Sequence, residues 1–492
     1  MHDTISTRAN TPDCECGSYR TQMADVELFR DVMCGTRRLR QRAVQYLPQH
    51  PAEEDAAYTI RLNQTVLFNA TRRTVKGLTG MVFRKPPVLG QDVPAEIRGD
   101  SENNIEGHWE NIDLEGTHGD VFAQELFVKG FDGHAFILVD MQRAVTADNP
   151  EATRKDELDA GLRPYWVLIE KAQVLNWRTE LVKGARVLSQ VTIKECRIEA
   201  EGQFGEVQVD QYRVLRPGEW EIWRWVTRID TDGTITGEKG REYRALEIHE
   251  RGTTPLDFIP LVVYYANRTG YLESTPPLLD LAYENIEHYQ LRSDLRHTLH
   301  IANVPILVRK GGNPNEDLAI GPNTIVDIDT DGDLKYTEHQ GHAIGKSQEE
   351  IATTEQRMAA LGLMLLMNKP AVQQTATETV IDAEAESSEL AGMARNLEDA
   401  LEQALQIHAR WLKKESGGSI QINRKFTKMQ ITSDKIRAWL EAIAVGALPR
   451  ELFWEMLMEA EEIPPGRTID DMRNLIESDD IGGRLDGAAT SD

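Results

Sequence analysis

The sequence predicts an α+β fold, and three features of it lead to that class. Residues 19–85 and 276–415 keep apolar side chains at helical spacing. Between them, residues 135–265 carry short runs of β-branched and aromatic residues separated by turn residues. The chain is 492 residues long, enough for about two to four domains and a substantial core.

The N-terminal region is predicted to form two helical segments. The first covers residues 19–50 and contains the basic cluster Arg37–Arg42, which we interpret as a solvated or ion-pairing face, with phosphate contact as the alternative. Glu53 and Glu54 open the second segment at its positive end. Its apolar positions keep helical spacing until Gly80 and the pair Pro86–Pro87 end it.

The middle of the chain is predicted to be a set of strands. Runs such as "HAFILVDM", "VQVDQYRVL" and "EWEIWRWVTRI" are short and rich in β-branched and aromatic residues. The pentapeptide "IDTDG" at Ile229–Gly233 lies between two of these runs. Asp and Gly in that position favour a hairpin turn.

Three long helices are predicted after the strands. Thr275 caps the first, with Pro276 at its first helical position, and this helix runs to about residue 303. Ser347 and Glu350 form a capping box that starts the second, which continues to about residue 367. A second capping box, Thr375 with Glu378, starts the third, which extends to about residue 415.

The third helix carries one apolar stripe, and Gly392 is where a bend is expected. A strand is predicted near residues 417–431, helices continue to residue 478, and the acidic tail from Asp479 is predicted to be disordered. The stripe consists of Leu390, Ala394, Leu397, Leu401, Leu405, His408 and Leu412.

Composition narrows the class of protein. The net charge is −25, from 55 basic and 80 acidic side chains, which argues against a protein that grips nucleic acid by neutralising phosphates. Four cysteines are too few for a disulfide framework. We find no signal peptide, and the longest apolar run, Met358–Met367, is about half of a membrane span. We expect a soluble protein.

A calcium-loop pattern occurs at Asp327–Glu338, where Asp327, Asp329, Asp331, Gly332 and Glu338 occupy every required position. An EF-hand also needs a helix on each side, and both flanks have the residues of strands and turns. The "IDTDG" inside this loop repeats the earlier pentapeptide that we assign to a turn. We therefore favour a turn over a cation site.

Other chemistry-bearing patterns are incomplete. "GHAIGKS" at Gly341–Ser347 has three residues between its glycines where a phosphate-binding loop needs four. His297 and His300, like His339 and His342, lie one helical turn apart, but neither pair has a clear third metal ligand. Hydrolase and metalloprotease motifs are also missing, so the sequence predicts no catalytic residues, no cofactor and no enzyme.

The order of segments resembles the portal proteins of tailed bacteriophages. The stretches that carry the resemblance are "YLPQHPAEEDAAYTIRLNQTVLFNATRRTVKGLTGMVFRKPP", "HGDVFAQELFVKGFDGHAFILVDM", "IPLVVYYANRTGYLESTPPLLDLAYENIEHYQLRSDLRHTLHIANVPILV", "QQTATETVIDAEAESSELAGMA" and "LPRELFWEMLMEAE". They cover nearly the whole chain except about the first 20 and last 15 residues, and no single motif among them is diagnostic.

The resemblance implies a division of the chain into the parts of a portal subunit. A flexible N-terminus, residues 1–20, precedes a mixed α/β wing, residues 21–275. Stem helices, residues 276–302 and 343–366, flank a small clip, residues 303–342. A tunnel loop, residues 367–377, leads into a long wing helix and strand, residues 378–431, a helical crown, residues 432–478, and the tail, residues 479–492.

The resemblance also implies roles for particular residues. The tunnel loop would present Asn368, Lys369, Gln373, Gln374, Thr375 and Thr377 to DNA. The channel stem would present Arg292, Arg296, Lys346, Glu350 and Arg357. The clip would meet its partners through Arg309, Lys310, Asp329, Asp331 and Asp333.

Both stem helices are slightly acidic, so duplex DNA would be repelled gently. Lys369 is the charged residue of the tunnel loop; transient phosphate contact without base readout and a merely solubilising role are equally compatible with it. The first stem helix carries Asp280, Glu284, Glu287 and Asp294 against two arginines, and the second carries Glu349, Glu350 and Glu355 against Lys346 and Arg357.

The function implied is a homo-oligomeric ring, by family analogy of twelve subunits, at one capsid vertex of the virion. It would admit and release double-stranded DNA and would dock the terminase large subunit, head-completion or adaptor proteins, major capsid protein and scaffold. Assembly would take place in the host cytoplasm without a membrane. The alternatives are a capsid or tail-adaptor protein without a channel, and a calcium-regulated binding protein.

Overall fold

The computed structural model describes residues 10–142, 161–229, 231, 241–302, 306–310, 333–337, 342–364, 366 and 388–426, together with seven single positions between 437 and 473. The chain divides into two units, residues 1–366 with 392–422 and residues 367–391 with 423–492. The described residues form a mixture of helices and antiparallel strands, so the predicted α+β class is confirmed.

The N-terminal region of the first unit is a layer of four helices, α1 Gly17–Cys34, α2 Thr36–Arg42, α3 Asp55–Gln64 and α4 Ala70–Val82. The prediction of helix over residues 19–50 is correct except that Gly35, at φ +90°, separates α1 from α2 and that helix ends by residue 45. A positive φ is accessible to glycine at little steric cost, which explains the break.

The prediction of one helix after Glu53 is wrong at residues 65–69, which are extended. Thr65, Leu67 and Asn69 are buried while Val66 and Phe68 are exposed, the alternation of an extended chain. The Asn69 side chain then accepts a hydrogen bond from the Arg72 amide (2.8 Å) and caps α4.

The predicted strand region forms two antiparallel sheets. The three-stranded sheet has the order β3-β2-β9, from Pro164–Glu170, His134–Met141 and Leu261–Tyr265. The five-stranded sheet is a meander of β4 Val174–Val182, β5 Ala185–Glu201, β6 Gly205–Arg216, β7 Glu219–Ile229 and β8 Glu242–Thr253. One apolar core, which includes Phe136, Ile169, Val191 and Leu215, joins the two sheets.

Smaller elements complete this unit: α5 Ala95–Arg98, α6 Gly119–Gly130, β1 Val88–Leu89 paired with β14 Ile420–Gln421, and β10 Arg268–Gly270 paired with β11 Glu273–Ser274. The first "IDTDG" begins at the end of β7, which pairs antiparallel with β8 at Ile229 and Glu242. Its place in the connection between paired strands agrees with the predicted turn.

The later long helices are α7 Leu279–Ala302, α8 His342–Met364 and α9 Glu389–Trp411. Between α7 and α8, strands β12 Ile306–Lys310 and β13 Asp333–Thr337 form an antiparallel pair. Two predicted caps are wrong. Helix α7 begins at Leu279, and the Thr275 hydroxyl accepts a hydrogen bond from Asn267 (2.9 Å). Helix α8 begins at His342, so Ser347 lies inside it.

Helix α9 confirms the predicted apolar stripe. Leu390, Ala394, Leu397, Leu401, Leu405 and His408 are all buried, and the helix continues through Gly392 to Trp411, short of the predicted end near residue 415. Trp411 donates from Nε1 to the carbonyl of Val139 in β2 (3.1 Å). This stripe is covered within its own chain.

Several predictions fall outside the described residues: residues 1–9, the start of the third long helix near Thr375, nearly all of the crown, and the tail. Six of the seven single positions between 437 and 473 are helical. None of the described helices is long and apolar enough to cross a membrane.

Candidate functional site: the α7–α8 helix pair

Helices α7 and α8 form an antiparallel pair. Arg357 of α8 lies 3.6 Å from Glu284 of α7, and Glu355 lies 3.1 Å from His288 one turn further along α7. The face of α8 toward α7 is a narrow stripe of buried Ile351, Thr354 and Met358. Their spacing of three and four residues is the one that keeps side chains on one side of a helix.

Polar contacts attach the first half of α7 to the N-terminal helical layer. Asn285 Oδ1 accepts from the backbone amide (3.2 Å) and hydroxyl (3.1 Å) of Thr71, and its Nδ2 donates to the carbonyl of Phe68 (2.7 Å). Gln290 donates to the carbonyl of Tyr46 (2.9 Å). Because Asn285 is fully buried, its hydrogen bonds fix one rotational setting of α7.

A buried ion pair completes this attachment. The Arg61 guanidinium donates from Nε and Nη2 to the two carboxylate oxygens of Glu53, both at 2.7 Å, and from Nη1 to Ser293 Oγ in α7 (3.3 Å). Thr65 also donates to Ser293 Oγ (3.0 Å). The hydrogen bonds from Arg61 lower the pKa of Glu53 to about 2, so the carboxylate stays ionised near neutral pH.

The outer face of α8 is exposed along the whole helix. Its charged groups include the carboxylates of Glu349, Glu350 and Glu355, and near its end Leu363 and Met364 are 55% and 60% exposed. Apolar side chains of this size at adjacent positions are candidates for contact with another chain.

The predicted stem residues do not all face solvent freely. Arg296 donates to the carbonyl of Gln64 (2.9 Å), and Lys346 pairs with Glu349 (2.7 Å). Arg357 pairs with Glu350 (3.0 Å) as well as with Glu284. Arg292 is exposed and makes no ion pair with the part of the chain that the structure describes. The sequence identified the charges but not these pairings.

The segment predicted as the clip contains the β12–β13 pair. Lys310 lies opposite Asp333, and Arg309 lies opposite Leu334; Lys310 and Asp333 are both exposed. Strand β13 occupies residues 333–337, inside the calcium-loop pattern, in agreement with the predicted strand character of this segment. The candidate ligands Asp327, Asp329, Asp331 and Glu338 lie outside the described residues.

Two further expectations concern the surroundings of this pair. Of "GHAIGKS", residues 342–347 are in α8, so this stretch forms no phosphate-binding loop. Within the described ranges, no cluster of three His, Cys, Asp or Glu could hold a metal ion. The tunnel-loop residues Asn368, Lys369, Gln373, Gln374, Thr375 and Thr377 lie outside those ranges and remain a prediction.

The structure reveals a histidine pair that the sequence reasoning missed. Trp166 Nε1 donates to His408 Nδ1 (3.1 Å), and His408 Nε2 lies 2.9 Å from His108 Nδ1. Since an indole N–H can only donate, His408 carries its proton on Nε2 and donates it to His108. Burial lowers the pKa of His108 to about 4 and that of His408 well below its usual range.

A buried lysine was also missed. Lys171 Nζ donates to the carbonyl (2.8 Å) and hydroxyl (2.9 Å) of Ser274, whose hydroxyl lies 2.6 Å from His134 Nδ1. Burial lowers the pKa of Lys171 to about 8 and that of His134 well below its usual range. These groups are satisfied by one another, which is the arrangement of a structural joint between strands β2 and β11. Because these residues are up to 140 positions apart in the sequence, no local sequence pattern indicated that they meet.

Comparison with known proteins gives limited matches. A domain of unknown function, DUF4055, matches residues 277–412, the part of the chain that includes α7, α8 and α9. No curated protein matches the sequence.

Among solved structures, the chain is similar to a chain in the neck of an empty gene transfer agent particle computed with C6 symmetry. The two share 12% identity and a TM-score of 0.38, over 80% of this chain and 90% of that one. It is also similar to a chain in the virion of the native gene transfer agent particle, with 12% identity and a TM-score of 0.36, over 83% and 94% of the two chains. Neither value identifies a shared fold.

Proposed function

We propose that the protein is a portal subunit, which assembles with further copies into a ring at one vertex of a phage-like capsid. Double-stranded DNA would enter and leave through this ring. One observation carries the proposal: α7 and α8 form an antiparallel pair with strands β12 and β13 between them, attached along α7 and exposed along α8. A stem with a clip beyond it requires this arrangement.

The exposure of α8 supports assembly with copies of the same chain. Leu363 and Met364, 55% and 60% exposed, would gain about 1–1.5 kcal/mol each on full burial, and a ring repeats that gain at every interface. Closed symmetry is the usual outcome when identical chains associate head to tail through one repeated contact.

The charges of the helix pair support passage of DNA without retention. Lys346 and Arg357 are each paired with a carboxylate, whereas Arg296 donates to a backbone carbonyl, so Arg292 and Arg296 are the predicted stem cations without a carboxylate partner among the described residues. Tight binding to duplex DNA needs several contacts between cations and phosphates. A channel surface on which carboxylates outnumber the cations would not retain DNA.

The remaining roles follow from the proposed arrangement. The tunnel loop, with Lys369 and its neutral neighbours Asn368, Gln373 and Gln374, would touch phosphate transiently. The β12–β13 pair, with Arg309, Lys310 and Asp333, would contact the terminase large subunit and then a head-completion protein. The protein would act in the virion, without enzymatic activity or a cofactor, in contact with major capsid and scaffold proteins.

The test is electron microscopy of the purified full-length protein in negative stain, with class averages viewed along the particle axis. Rings with a central hole of about 20 Å or more, wide enough for duplex DNA, are expected. If the chain is monomeric, the same images are recorded after co-expression with scaffold protein. A closed oligomer without a through-channel in either preparation would refute the proposal and favour the tail-adaptor alternative.

A further inference from the structure

Strands β5 and β6 extend beyond their sheet as a two-stranded arm, residues 196–210, with Lys194 and Glu195 at its base. Strand β4 pairs with β5 only as far as Ile193, and β7 pairs with β6 only from Gln211. Residues 196–201 pair with residues 205–210 and, among the described strands, with no others. At about 3.3 Å per residue, the six residues 196–201 give the arm a length of roughly 20 Å. An isolated ribbon of two strands is marginally stable in water.

The tip of the arm, residues 201–206, combines an aromatic ring with free carboxylates. Phe204 is 91% exposed. Glu201 and Glu206 flank it and make no ion pair within the described part of the chain, whereas the other carboxylates of the arm are paired: Glu195 with Arg213, Glu199 with Arg224 and Asp210 with Lys194. The tip therefore offers an apolar group between two unpaired negative charges.

A cleft between α3 and α7 has the complementary character. Its volume is about 170 Å³. Its lining includes Ala57 and Ile60 of α3, Thr65 just after α3, and Arg296, His297 and His300 of α7. An apolar cavity of about 150 Å³ accepts a benzene ring, so one phenyl side chain fits this cleft. Ile60 is largely exposed at its edge.

The segment that contains α3 and α4 is basic in a strongly acidic protein. Residues 56–91 contain six basic and no acidic side chains, the longest stretch of the sequence without a carboxylate. Arg72, Arg73 and Lys76 of α4 are exposed. A chain of net charge −25 repels its copies, so association is favoured where a local positive surface meets a negative one.

We propose that the arm of one copy docks on the next copy of this chain, with Phe204 in the α3–α7 cleft and the two flanking carboxylates toward Arg296 and His300. The tip is exposed in its own chain, so the cleft it fills belongs to another copy. This inference rests on the self-association required by the proposed function, but not on a DNA channel.

The first experiment places the photo-cross-linker p-benzoylphenylalanine at position 204 of the full-length protein. Leu181, 76% exposed at the end of β4 far from the arm, is the matched control position. After irradiation, we expect cross-linked dimers from position 204 with peptides of residues 57–65 or 293–300, and none to these peptides from position 181. Oligomers that form without these cross-links from position 204 would overturn the docking and leave the ring intact. A chain that stays monomeric, with or without scaffold, would overturn both.

The second experiment measures the dissociation constant for self-association by sedimentation. Phe204→Ser is expected to raise it at least tenfold, because the phenyl ring loses its burial. The double variant E201K/E206K is expected to raise it similarly, whereas Glu180→Lys on β4 is expected to leave it nearly unchanged. Adding R296E and H300E to the double variant exchanges the charges on both surfaces and should restore most of the association. Failure of that restoration, with folding intact by circular dichroism, would refute the assigned contact.

Discussion

Replacing Glu53 by glutamine is the sharpest test of how α7 is attached. Glu53 holds both carboxylate oxygens against Arg61, and both side chains are about 95% buried (5% and 4% exposed). The amide keeps the shape of the carboxylate but removes its charge. Arg61 then remains buried without its close carboxylate, with Ser293 and the carbonyl of Pro48 as its other acceptors and the half-exposed carboxylate of Asp294 3.8 Å away.

Two lines of reasoning give the size of the effect. Breaking a buried ion pair by removing one partner costs about 3–5 kcal/mol. A pKa of about 2 for Glu53 in place of 4.5 corresponds to about 3 kcal/mol, at 1.36 kcal/mol per tenfold change in the acid constant. This stability is fully present above pH 4.5 and is lost as the pH falls toward 2, because the unfolded state binds the proton first. We expect a loss of about 3 kcal/mol at neutral pH.

Hydrogen exchange read by mass spectrometry measures this loss where it occurs. In the Glu53→Gln variant, amides of residues 55–64 and 285–296 should exchange about a hundredfold faster than in the wild type. Glu54→Gln, at the exposed neighbouring position, is the control. Equal exchange in the two variants would refute the reasoning. A double variant with methionine at positions 53 and 61 should recover much of the protection, because replacing both charges leaves none unpaired.

Three further predictions follow from particular contacts. Lowering the pH from 6.5 to 4 should destabilise the fold by about 3 kcal/mol through His108 alone, because its folded pKa of about 4 lies below that of the unfolded chain and protons bind the unfolded state in that range; urea unfolding against pH measures this. Gly130→Ala should lower stability by about 1–3 kcal/mol, because its Cβ would lie 2.2 Å from the buried ring of Tyr264; thermal unfolding measures this. Lys369→Gln should reduce DNA packaging in a reconstituted system without changing ring formation, which microscopy checks.

Matched controls make these outcomes decisive. His249→Gln changes an exposed histidine and should leave the pH dependence as it is, whereas His108→Gln should flatten it. Gly80→Ala, inside helix α4 with open space around the position, should be neutral or slightly stabilising. If Gly130→Ala behaves like Gly80→Ala, the close approach to Tyr264 is wrong. If Lys369→Gln packages DNA as the wild type does, the tunnel-loop lysine serves only solubility.

The sequence predicted the classes of element well because their signals are periodic. The stripe on α9 and the strand runs repeat over many residues, so single exceptions do not hide them. The errors lie at breaks and caps. The extended segment Thr65–Asn69 looked helical because its apolar residues also fit helical spacing, and tertiary bonds to Asn285 and Thr36 decide its conformation. The capping box at Ser347 and Glu350 predicted the start of α8 six residues too late, because the same residue pattern also occurs inside helices.

The candidate site was predicted only in its outline. Sequence reasoning named the charged residues of α7 and α8, but the partners of Arg296 and Arg357 depend on helix packing. The bond between Arg61 and Ser293 joins residues 232 positions apart. Hydrogen bonds of this span leave no local pattern, and they become visible only when the fold brings the residues together.

The polar attachment of α7 has a mechanical consequence. Its four contact residues, Asn285, Gln290, Ser293 and Arg296, each meet a different backbone or side-chain partner in the helical layer. Two apolar surfaces can slide past each other by small amounts. Surfaces joined by buried hydrogen bonds cannot, because a shift of a fraction of an ångström breaks these bonds and leaves their polar groups unsatisfied. Helix α7 therefore behaves as a rigid rod with a fixed register, and a load applied near the β12–β13 pair reaches the helical layer as displacement of the whole rod.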